Sequence, residues 1–95
     1  MSGTDATLKC VIAWSDKRNL CSLVEDELRA RLAGGDVLRA GDDALVAYAA
    51  HEPAEIRDWV RAALDDDETV LVFEFERWSG YGPGIDSAWL LRRGH

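Results

Sequence analysis

The sequence has two cysteines, two prolines and one methionine among 95 residues. It has no apolar run near the roughly 18 residues that a bilayer-spanning helix needs. Each scarcity closes a class. Cys10 and Cys21 have neither CxxC spacing nor matching histidines, which argues against a zinc site and for two reduced thiols in a cytosolic protein. Positive charge is also short: 11 Lys and Arg stand against 18 Asp and Glu, a net charge of −7. Nucleic-acid binding rests on clustered cations, so the balance disfavours it while leaving room for a local basic patch. The opening MSGTDATLK lacks a basic stretch followed by an apolar one, so no signal peptide is expected and the protein is read as cytoplasmic. GxSxG, HExxH, a glycine-rich phosphate loop, internal repeats and low-complexity tracts are all missing.

What is present suffices for a core. Hydrophobic residues make up 47% of the chain, and four are tryptophan. One domain, residues 1–95, is expected to fold without disulfide or metal, with a core over 8–76 and a tail over 77–95. LKCVIAWS, residues 8–15, reads as a first strand, with Leu8, Cys10, Ile12 and Trp14 on one face and the smaller Val11 and Ala13 on the other. Asn19 or Asp16 is placed to cap the helix that follows. In that helix, residues 20–32, Leu20, Val24, Leu28 and Leu32 form an apolar stripe, and Glu25 pairs with Arg29. AGG ends it. Two short strands, 37–40 and 44–49, flank a GDD turn. HEPAEIRDWVRAAL is a second helix, with Pro53 in its first turn and Glu52 and Glu55 at its positive end. After DDDE, residues 69–76 alternate as a last strand, whose Leu71, Phe73 and Phe75 are expected to face the helices. GIDSAWLLRRGH predicts a closing helical turn or two, capped near Asp86. The order β, α, β, β, α, β in a chain this short implies an α+β, ferredoxin-like fold: a four-stranded antiparallel sheet, two helices on one face, and a short C-terminal tail.

Chemistry is thinly signalled. Asp16, at the end of the first strand, reads either as a helix cap or as a ligand for a divalent metal. Asp42, Asp43 and the run Asp65 to Glu68 read as solvated turns, lacking the spaced ligands of a calcium loop. His51 and His95 have no catalytic or metal partners at a telling spacing and read as surface residues. Trp14, Trp59 and Phe73 fit core positions. Arg77, Trp78, Tyr81 and Trp89 form either a cluster folding the tail back on the sheet or a partner-binding patch, these residue types being common at interface hot spots.

The order of elements, VIAWSD near the start, and DALVAYAAHEPAEIRDWVRAALDDDETVLVFEF resemble the small ferredoxin-like nucleases of the CRISPR spacer-acquisition system and their relatives of unknown function. RWSGYG and the short tail are nearer the relatives. The resemblance implies a homodimer and, in the nuclease members, an aspartate closing the first strand that binds magnesium at the dimer interface. That place falls on Ser15 by strand pattern, with Asp16 one residue later and so on the opposite face. The leading expectation is therefore a non-catalytic ferredoxin-like protein, with no cofactor, acting through homodimerisation or by binding another protein. The alternative is a magnesium-dependent nuclease using Asp16.

Overall fold

The computed structural model describes residues 6–32 and 34–94; His95 lies outside them. The elements are β1 (Thr7–Trp14), α1 (Cys21–Arg31), a 3-10 turn (Gly34–Asp36), β2 (Val37–Ala40), β3 (Ala44–Ala49), α2 (Pro53–Arg61), β4 (Thr69–Phe75) and α3 (Ser87–Gly94). The strands form one antiparallel sheet in the order β2-β3-β1-β4. This is the expected βαββαβ arrangement, with the two longest central pairings built on β1.

Local chemistry places each boundary. Asn19 Oδ1 accepts a hydrogen bond from the Cys21 N–H at 2.8 Å, so Asn19 rather than Asp16 serves the start of α1. Pro53 opens α2, and Glu55 Oε1 accepts from the Glu52 N–H at 3.2 Å. Gly41 turns the β2–β3 hairpin at φ 75°, a conformation that a Cβ strains. Glu25 and Arg29 pair along α1 at 2.9 Å, as their spacing predicts.

The main core lies between the sheet and α1 and α2. Val11 of β1, Val37 of β2 and Leu45 and Ala49 of β3 meet Leu20, Val24, Leu28, Ile56 and Val60. Val70 and Val72 supply the β4 share of this layer. Leu71, Phe73 and Phe75 therefore face away from α1 and α2, opposite to the sequence reading. Both faces of β1 and β4 are largely apolar, and the charges Lys9 and Glu74 lie on the helix side, so alternation alone points to the wrong face. The register decides it: the β1 residues opposite Val70 and Val72 are Ala13 and Val11, a small-residue layer matched to the branched side chains of α2.

The other face is half covered. There α3 lays Trp89 and Leu90 on Leu8 and Val46, with Leu38, Tyr48, Phe75, Trp78 and Ile85 at the margin. Asp86 Oδ1 caps α3 by accepting from the Trp89 N–H at 3.0 Å, where the sequence placed a cap. Trp89 Nε1 donates to the Gly35 carbonyl at 2.8 Å, and the Arg93 guanidinium lies 4.3 Å from the Trp89 ring and 3.3 Å from Asp36. The tail is thus a third helix anchored on the second sheet face.

Candidate interaction surface on the open sheet face

The part of that second face left bare by α3 is the end of β1 and the beginning of β4. Register sets Cys10 beside Phe73, Ile12 beside Leu71, and Trp14 beside Thr69. Trp14 is 51% exposed, Leu71 50% and Phe73 41%. Two residues assigned to the core from sequence, Trp14 and Phe73, are therefore on the surface, because no described helix reaches this corner. The third, Trp59, is half-buried, with the His51 ring edge-on at 4.8 Å and the Arg31 guanidinium 5.5 Å away.

The charges of the strands all point elsewhere. Lys9, Arg39 and Glu74 alternate with the apolar residues and lie on the helix side of the sheet. Lys9 is 2% exposed, an unusual burial for a charge. Its ammonium donates to the Ala49 carbonyl at 2.6 Å and to Thr7 Oγ1, and it lies 3.5 Å from Glu74 Oε1. Those partners replace much of the lost water. The second face carries no formal charge from any of the four strands, although 31% of the chain is charged.

The residues singled out in the tail do not form one patch. Trp89 is buried in the second core and Trp78 is half-buried against it. Arg77 is exposed and, with Trp78, lines a shallow depression beside Gly80, Ser87 and Leu91. Tyr81 is fully exposed at the loop. The two alternatives thus divide residue by residue: Trp89 and Trp78 fold the tail onto the sheet, while Arg77 and Tyr81 remain on the surface.

Asp16 is exposed and shares a shallow depression with Asp42 and Asp43. Among the described residues, no group of three or more His, Cys, Asp or Glu is placed to hold a metal ion. For a resident magnesium ion the three carboxylates of that depression are all exposed and are not grouped to hold a metal ion, so they do not make a donor set. Of the DDDE run, Asp65, Asp66 and Asp67 are exposed as expected, but Glu68 is not a free turn residue. Its carboxylate receives two hydrogen bonds from Arg18, at 2.6 and 2.7 Å. That pair, followed by the Asp65 N–H, holds Glu68 well below the usual carboxylate range, at about 2. Lys17 and Asp67 form a second bridge between the same two loops.

Cys10 lies on the second face and Cys21 in the main core, both as free thiols, and burial pushes both pKa values up. Neither is an activated nucleophile. No described helix is long and apolar enough to cross a membrane.

Sequence reasoning missed this surface because it assigned the larger β4 residues to the helices. The available signal was arithmetic: two amphipathic helices and a short tail helix cannot cover two apolar sheet faces. No family model, curated protein or solved structure matches the chain.

Proposed function

We propose that the chain is a non-catalytic ferredoxin-like protein that acts through homodimerisation or by binding another protein, using the bare corner of its second sheet face. One observation carries this reading: Trp14, Leu71 and Phe73 stand about half exposed on a sheet face to which no described strand contributes a charge. Together they present on the order of 300 Å² of apolar surface, the range in which the largest patches of monomers are often functional. Arg77 and Tyr81 are exposed beyond the other end of β4, Arg77 beside α3, and are not part of this corner.

Light scattering coupled to size exclusion, from about 1 to 100 µM, tests it. These concentrations bracket the weak-to-moderate affinity of a small interface. A mass of one chain throughout removes homodimerisation. Trp14→Glu should then lower the fluorescence of an apolar dye on the monomer; an unchanged signal would remove the surface itself. The competing reading is a magnesium-dependent nuclease with Asp16 at a two-fold axis. Mg²⁺-dependent cleavage of RNA or DNA that is lost in Asp16→Ala would displace the binding reading.

A further inference from the structure

We infer that a second copy of the chain joins edge to edge along β4, beside the bare corner, in one continuous eight-stranded sheet; this rests on the homodimerisation branch of the reading above. Among the described strands, β4 closes the sheet and pairs with β1 alone. One row of its backbone N–H and C=O groups therefore points outward. Soluble proteins blunt such an edge with charge, proline, a bulge or shortness. β4 is seven residues long, TVLVFEF, without proline. Its single charge, Glu74, is turned to the helix side, where Thr7 donates to it and Lys9 lies beside it. The unprotected edge is the same strand that carries the half-exposed Leu71 and Phe73.

The sequence of β4 is self-complementary. A two-fold axis perpendicular to the sheet keeps the same face up in both copies, so a residue can oppose only one of its own parity. The register that pairs all seven residues is centred on Val72. It sets Leu71 against the partner's Phe73 twice over, Thr69 against the partner's Phe75, and Val70 against the partner's Glu74. No like charges oppose each other. Moving the axis to Leu71 brings Glu68 towards the partner's Glu74, and moving it to Phe73 leaves the first residues of β4 without a strand partner.

The apolar patch alone is too small to hold a dimer. About 300 Å² of exposed apolar patch falls well short of the roughly 800 Å² per partner of a stable interface. Stacking the two faces without strand pairing would leave both β4 edges open. Edge pairing satisfies the outward backbone groups and brings the Leu71 and Phe73 side chains together in the same contact.

The test is a charge swap read by sedimentation equilibrium on the full chain, with circular dichroism confirming the fold of each variant. Leu71→Lys and Phe73→Glu should each weaken the wild-type dimer by about tenfold or more, since each change is repeated by symmetry. The double variant should recover most of that loss, because this register alone sets the introduced lysine against the introduced glutamate of the other copy. A wild-type monomer at all concentrations overturns both this inference and the homodimerisation it rests on. A wild-type dimer whose double variant is no better than the singles overturns the β4 pairing while leaving self-association standing. Hydrogen exchange on the wild type needs no substitution: outward amides between Val70 and Glu74 should be protected at high concentration and lose protection on dilution. Protection independent of concentration in a protein that does dimerise overturns the edge pairing.

Discussion

At the scale of single residues, two charges carry more of the structure than their positions in the sequence suggest. Lys9 sits near the start of an apolar strand, where composition offers no reason for a buried ammonium. Its stem packs and its head is taken up by the Ala49 carbonyl, Thr7 and Glu74. Lys9→Ala should lower stability by about 2 kcal/mol, through lost packing and an unpaired carbonyl. Lys9→Met keeps the stem and should lose less in the same urea titration. If the two losses are equal, packing of the stem contributes nothing. Glu68 gives a pH prediction. Its pKa is lower in the folded chain than in the unfolded one, so its contribution is complete above the ordinary carboxylate range and is lost as pH falls towards about 2. Arg18→Ala removes the first cause of the shift. The melting temperatures of variant and wild type should differ most above about pH 5 and converge as pH approaches 2. A difference constant with pH would assign Arg18 a role other than its pairing with Glu68. Neither residue was legible in the sequence. Each depends on partners distant in the chain: Arg18 and Glu68 are 50 residues apart, and Lys9 and Glu74 meet only through the β1–β4 register.

At the scale of elements, legibility was high wherever the signal is local. The bounds of β2 and β3, the glycine turn between them, Pro53 at the head of α2 and the Asp86 cap of α3 follow from residues within one turn of one another. Their consequences are local as well. Gly41→Ala places a Cβ at φ 75° with open space around it, so it should destabilise by about 1 kcal/mol through backbone strain alone. α3 is different, because eight residues make a marginal helix without tertiary support. Its stability comes from Trp89, which fills the second core and reaches the Gly35 carbonyl. Trp89→Ala should lower stability by about 3–4 kcal/mol and expose the β1–β3 half of the face. Asp86→Ala should lower it by about 1 kcal/mol. Thermal melts followed by tryptophan fluorescence separate the two. Equal losses would mean that α3 is held by its cap and not by its core residue.

At the scale of the whole molecule, charge sets the sign of a salt effect. Two copies carrying −7 each repel at long range, while the proposed contact between them is apolar and made of backbone hydrogen bonds. Raising NaCl from about 20 to 300 mM shortens the screening length from about 20 to 6 Å and should strengthen self-association. A basic partner protein would respond in the opposite direction, its attraction to this acidic surface being screened. Self-association weakened by salt would therefore count against an apolar, like-charged contact.

The division between what the chain determines locally and what it determines only when folded runs through the two faces of the sheet. Period-2 alternation, apolar helical stripes, turn residues and caps are short-range signals, and from them the βαββαβ order and the antiparallel sheet could be derived before any contact was known. Which face of β4 meets the helices, where Lys9 finds its partners and which apolar corner stays bare are set by register and coverage. β4 is apolar on both sides except for Glu74, which lies on the helix side, so its local pattern does not reveal which way it is turned. Only the packing of small Ala13, Val70 and Val72 beneath α2, and of Trp89 on the opposite side, turns Leu71 and Phe73 outward.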